Sequence, residues 1–176
     1  MFFTASLALR PALAAQSVKS DRPQKQAGAN KCTSVKFHAL GRYKGERWSK
    51  VFSDREVVPV LKLVLKGNYG KLESSLERVN YPDSLSFVDS NGILTLEGGV
   101  PGLYTIMEAK LIVEPCGNLY VGILDEGERF LYFSNDRNYT DKLHPIIDEW
   151  RSDVEKRRRD GLSKPNSDLP VIFKSK

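Results

Sequence analysis

The chain has 176 residues, a length that suits one domain with tails. Its formal net charge of +5 invites a nucleic-acid reading, but residues 1–30 carry +3, residues 156–176 carry +5, and the stretch between them is about −3. No aromatic-plus-basic stripe runs along the strands, so an RNA-recognition sheet is excluded, and a mildly acidic globule steered toward a basic partner is expected instead.

Residues 2–15 are mostly apolar and small, and Ala12-Leu13-Ala14 before Ala15-Gln16 has the form of an A-x-A cleavage site. The stretch is too short, and too interrupted by Arg10 and Pro11, to span a bilayer, so no stable membrane insertion is expected. It also lacks a basic n-region. A clipped signal peptide is the expectation, which places the protein in the periplasm or outside the cell. Residues 17–30 are polar, rich in Gln, Lys and Gly, and are expected to be disordered. The organisation predicted is thus a leader and arm over 1–30, a single domain over 31–160, and a flexible tail over 161–176. Within that tail, Leu169 to Phe173 either adds an edge strand or adds nothing.

Helical spacing is clearest from Phe52 to Gly67. Ser53 and Glu56 stand at capping-box positions, Phe52 and Val57 at staple positions, and Val57, Leu61, Val64 and Leu65 form one apolar stripe. Pro59 is expected past the first turn, where it would cost a hydrogen bond or bend the helix. A second helix is predicted over 68–79 from Leu72, Leu76 and Val79, ending before Pro82. A third begins near Pro145, with Leu143, Ile147, Trp150 and Val154 on one face. Its Lys156-Arg157-Arg158-Arg159 end suits the negative pole of a helix.

Between the second and third helices lies the stretch that organises the rest, Tyr81 to Asn135. It predicts a five-stranded antiparallel meander: Ser84–Val88, Ile93–Glu97, a strand around Ala109–Val113, Leu119–Leu124 and Arg129–Ser134. Asp89-Ser90-Asn91-Gly92 is expected to close the first hairpin by a primed turn, since Asn-Gly tolerates positive φ. Helices before and after such a meander imply an α+β fold with the helices packed on one face of the sheet. Three connections are tight. The fourth, Gly98 to Thr105, carries Gly, Pro and apolar residues, and a loop on a rigid scaffold is where function usually sits. Its bland counterpart is a plain connector.

No catalytic constellation is present in the sequence. There is no phosphate loop, no G-x-G-x-x-G and no H-E-x-x-H, so an enzyme is not expected and no cofactor is implied. Asp125, Glu126 and Glu128 cluster at a hairpin tip, where carboxylates are ordinarily solvated. Cys32 and Cys116 form no C-x-x-C pair, and His38 and His144 are the only imidazoles, so no metal site is expected. In an exported chain the two cysteines suggest one disulfide, the alternative being two unrelated buried thiols.

From Val60 to Arg151, about half the chain, the sequence resembles the Ivy family of periplasmic inhibitors of vertebrate-type lysozyme. The resemblance rests on the order of several segments: L-K-G-N-Y-G from Leu65 to Gly70, then G-I-L-T-L-E-G from Gly92, then a Gly/Pro loop. The strand pair L-Y-V-G-I-L and R-F-L-Y-F-S-N comes next, followed by L-x-P-I-I-x-x-W from Leu143 to Trp150. The resemblance implies an antiparallel sheet with flanking helices. It also implies an inhibitory loop between two strands, which in the family bears a C-K-P-H-D-C-type motif whose histidine enters the lysozyme active site. The corresponding loop here is Gly99, Val100, Pro101, Gly102, Leu103 and Tyr104. Pro101 matches the motif's proline, Gly102 stands at the histidine position, and no cysteine flanks it. The function implied is an exported, non-enzymatic inhibitor of, or immunity factor against, a lysozyme-like or other peptidoglycan hydrolase, blocking its cleft sterically through Pro101, Leu103 and Tyr104. The alternative is a periplasmic structural or small-ligand-binding domain with no enzyme target.

Overall fold

The computed structural model describes residues 36–77, 86–100, 102, 103, 105–161 and 168–174, all within the unit that spans Lys31–Lys176. The leader and arm expected over 1–30, Cys32, Val79, Pro82, the start of the first predicted strand, Pro101 and Tyr104 lie outside the described residues.

Six strands form one sheet in the order β1 to β6: β1 Phe87–Val88, β2 Leu94–Gly99, β3 Glu108–Val113, β4 Leu119–Asp125, β5 Arg129–Ser134 and β6 Val171–Phe173. The first five pair antiparallel, with Leu96 opposite Leu111, Leu111 opposite Val121 and Val121 opposite Phe133. The sixth pairs parallel to β5, Phe130 facing Val171. The fold is therefore α+β, but its sheet is six-stranded and mixed rather than a five-stranded antiparallel meander. A parallel neighbour needs a long crossover, and helix α4, Pro145–Gly161, supplies it between β5 and β6. Part of the tail expected to be flexible is thus edge strand, with Phe130 N donating to Pro170 O at 3.0 Å and Lys174 N to Tyr132 O at 2.8 Å.

The expectation that all helices share one face is also corrected. Helices α1 Trp48–Val51, α2 Val57–Leu65 and α3 Tyr69–Glu77 belong to the cluster that holds Leu94, Leu96, Leu111, Val121, Ile123, Leu131 and Phe133. Helix α4 lies on the opposite face, where Ile147, Trp150 and Val154 meet Ile112, Tyr120, Leu124, Phe130 and Tyr132. The reason is legible in β4, all seven residues of which are buried. A strand covered on both faces reads as a continuous apolar run instead of an alternation. At the centre of the second face, Gly122 makes room for the helix. A Cβ there would lie 2.7 Å from Phe130 Cζ and 2.9 Å from Trp150 Cζ3.

Two local expectations change for physical reasons. Ser53 is not the cap of α2, because its hydroxyl donates to Lys50 O. Asp54 does that work, its Oδ1 accepting from Glu56 N at 2.7 Å and Val57 N at 3.0 Å. The helix consequently starts at Val57, and Pro59 falls in the first turn, where its missing N–H has no helical acceptor to lose. In the β1–β2 connection only Gly92, not Asn91, has positive φ. The turn is therefore not a primed two-residue one. Asp89 Oδ1 organises it instead, accepting from Asn91 N and Ile93 N at 2.8 Å each.

Candidate functional site

The β2–β3 connection runs along one end of the sheet, beside the β4–β5 hairpin. Gly99 is paired with Glu108 as the last rung of the ladder, and Val100 is buried. These two residues of the predicted loop therefore belong to the sheet end and not to an accessible tip. The tip, among the described residues, is Gly102, Leu103, Thr105, Ile106 and Met107. Leu103 is 37 % exposed and Ile106 is 40 % exposed. Ile106 was not singled out from the sequence because its strand-like neighbours Met107 and Glu108 gave no sign that the loop extended so far.

The tip is closely tied down. Leu103 N donates to Val100 O at 2.8 Å, Ile106 N and Met107 N both donate to Leu103 O, and Val100 N donates to Met107 O. From the adjacent hairpin Gly127 N donates to Ile106 O at 2.8 Å. A side chain at Gly127 would come within 3.3 Å of Thr105 O. Thr105 itself has φ 70, a left-handed conformation that costs a β-branched residue roughly 1–2 kcal/mol. Its N–H donates to the Glu108 carboxylate.

Glu108 is a buried charge at the foot of the tip. Its side chain is only 4 % exposed, and an ionised carboxylate in such a place must be paired to be tolerated. Arg157 of α4 meets it with a two-pronged grip, Nη1 to Oε1 at 3.0 Å and Nη2 to Oε2 at 2.7 Å. The Glu108 hydrogen bonds in turn raise the Arg157 guanidinium above its ordinary range, against the opposing effect of burial. The neighbouring hairpin carries a second buried carboxylate, Asp125, held by Lys71 Nζ and Arg129 Nη2 at 2.7 Å each. Burial pushes Asp125 up, yet the hydrogen bond and charge of Lys71, with Arg129, outweigh it and hold the group below its usual value. Glu126 and Glu128 are exposed at the hairpin tip. Neither Glu108 nor Arg157 was recognised from sequence. The arginine sits in a basic run that a helix dipole already accounts for, and nothing in the sequence spacing links residues 49 apart.

Two other clusters gather polar side chains. On the second face, Tyr120 Oη lies 2.8 Å from Asp136 Oδ2 and 3.3 Å from Glu114 Oε2. The His144 ring stacks on Tyr120 at 4.1 Å between centroids. His144 Nδ1 accepts from Ile146 N at 3.4 Å, and Asp136 Oδ1 accepts from Asn138 N at 2.9 Å. Burial lowers His144 to about 4 while Asp136 opposes the shift, and burial raises the phenols of Tyr120 and Tyr132. Each group has an internal partner, so the cluster fastens the β5–α4 connection. The second is an open groove of about 390 Å³ lined by Arg42, Tyr43, Lys50, Ser53, Asp54, Arg55 and Glu56. Several of its charges are paired: Asp54 accepts from both the Tyr43 hydroxyl and Arg42 Nη2, and Lys50 Nζ meets Glu46 Oε1 at 2.8 Å.

Among the described residues no disulfide forms, Cys32 lying outside them. The segment that follows Cys32 is nonetheless tied to the turn carrying Cys116, since Phe37 N donates to Pro115 O at 3.1 Å. No helix among the described residues is long and apolar enough to cross a membrane. No family model matches the chain, and neither a curated protein nor a solved structure matches it.

Proposed function

We propose that this protein is an exported, non-enzymatic binding protein that blocks the cleft of a peptidoglycan hydrolase such as a lysozyme, as the likeness of its segments to the Ivy family implies. The observation that carries the reading is an apolar tip, Leu103 and Ile106, held half-exposed on a loop fixed to the end of a six-stranded sheet. A pre-formed apolar projection is the shape a substrate cleft accepts, and rigidity lowers the ordering cost of binding. Pro101 and Tyr104 complete the proposed plug from the sequence. Inhibition here would be steric, because Gly102 offers no side chain where the family's loop has a histidine.

The test is a double substitution, Leu103→Ser with Ile106→Ser, assayed against immobilised vertebrate-type lysozyme and bacterial muramidases and amidases. Partly exposed side chains contribute little to folding, so stability should change by no more than about 0.5 kcal/mol. Binding should weaken by at least roughly 2 kcal/mol, the scale of an interface hot spot. A variant that melts several degrees lower, or one that inhibits as well as the parent, removes the loop from consideration as the working surface.

A further inference from the structure

We infer that Glu108 and Arg157 are positioning residues that hold the loop tip in its binding shape, so that the basic end of α4 governs how well the loop engages its partner. The binding half of this inference rests on the reading above, whereas the conformational half stands without it. In the family's loop, flanking cysteines close the tip covalently, and no cysteine stands there in this chain. The geometry supplies a different closure.

Glu108 opens β3 and receives three donors from two directions. Thr105 N comes from the tip, and both terminal nitrogens of Arg157 come from a helix on the far face of the sheet. The carboxylate therefore joins the tip to α4, not merely to its own strand. Thr105 stands between Leu103 and Ile106, the two exposed apolar residues, and is the one held in a conformation that a β-branched side chain rarely adopts. Releasing its N–H removes the bond that holds it there and lets the chain between the two apolar residues relax. Two further tip bonds, Leu103 N to Val100 O and Ile106 N to Leu103 O, lie in that same turn. Of the run Lys156 to Arg159, it is Arg157 that forms an ion pair among the described residues, and it does so with its side chain still 43 % exposed. Its loss should therefore be survivable by the fold. When the competent loop conformation is only fractionally populated, apparent affinity falls by that fraction and the deficit appears in association.

The experiment uses the full chain with Arg157→Gln, Arg157→Lys and, separately, Glu108→Gln. Amide hydrogen exchange should accelerate at least tenfold at Leu103, Thr105, Ile106 and Met107 in Arg157→Gln, while the central amides of β4 and β5 exchange as in the parent. Arg157→Lys should recover part of the protection, because an ammonium can still reach one carboxylate oxygen. Against immobilised vertebrate-type lysozyme, Arg157→Gln should associate at least tenfold more slowly and dissociate within twofold of the parent rate. Unchanged exchange at the tip overturns the inference. So does acceleration that extends through β4 and β5, which would make the pair a general stabiliser. If the parent itself fails to bind lysozyme, the proposed target is wrong, and the exchange data alone decide on the brace.

Discussion

Acidification offers a sharp test of how the second face of the sheet is built. His144 caps α4, stacks on Tyr120 and lies beside Tyr139, and burial lowers its pKa from 6.5 to about 4 while Asp136 opposes the shift. The unfolded chain therefore binds a proton at a pH where the folded chain does not. Stability is full above about pH 6.5 and falls as the pH drops toward 4, below which the difference no longer grows. At about 1.36 kcal/mol per unit, the loss across the window approaches roughly 3 kcal/mol. Other depressed groups do not blur it. Asp54 is held down to about 2, burial pushing it up but the hydrogen bonds of Tyr43, Val57, Glu56 and Arg42 prevailing, and its contribution is lost only below the ordinary carboxylate range. The assay is the urea midpoint at pH 7 and pH 4.5 for the parent and for His144→Asn, which keeps an acceptor for Ile146 N but cannot titrate. The parent should lose about 2 to 3 kcal/mol between the two pH values and the variant far less. Equal losses in the two proteins would show that His144 is not buried neutral in this contact, and the account of the Tyr120 cluster would fall with it.

Gly122→Ala should destabilise the fold by about 1–3 kcal/mol in urea or thermal unfolding, because the added methyl meets Phe130 and Trp150 at less than 3 Å; an unchanged midpoint would mean that α4 is not seated on β4. Mass spectrometry of protein from its native host should show cleavage near Ala14 or Ala15 and a Cys32–Cys116 bridge. Free thiols on a full-length chain would argue against export.

The strands were legible in the sequence because their apolar residues and tight turns recur at short range. Leu119, Val121 and Ile123 alternate with Tyr120 and Leu124, and each β-turn announces itself with Gly, Asp or Asn. The second layer is legible too: Tyr120, Leu124, Phe130 and Tyr132 are apolar on the face opposite the first core, and such residues require cover. What the sequence did not carry was long-range pairing. That Val171 would lie beside Phe130, or Arg157 against Glu108, depends on where α4 returns the chain. The cap of α2 failed for a smaller reason. Ser53 and Asp54 are both good N-caps, and tertiary contacts of Asp54 with Arg42 and Tyr43 decide between them.

The two ends of the sheet differ in a way that bears on function. At the end with the β1–β2 and β3–β4 turns, the positive φ angles fall on Gly92 and Gly117, where they cost little. At the other end they fall also on Thr105 and Glu126, residues for which that conformation is unfavourable. The same end buries two carboxylates, Glu108 and Asp125, gripped by Arg157, Lys71 and Arg129, whereas the opposite end buries Asp136, held by a phenol and backbone donors. None of this is demanded by the sheet. Gly99 and Glu108 are already opposite each other, so a two-residue turn would join β2 to β3. Instead the chain inserts residues 100–107, accepts strain at Thr105, and fixes the result with an arginine from a distant helix. Strain and buried charge of this kind persist where surrounding structure over-determines them, and they cluster at functional sites. The strain and the buried charge favour the proposed binding loop over a plain connector. That asymmetry between the ends, more than the exposure of Leu103 or Ile106 alone, supports the proposal that the working surface lies here.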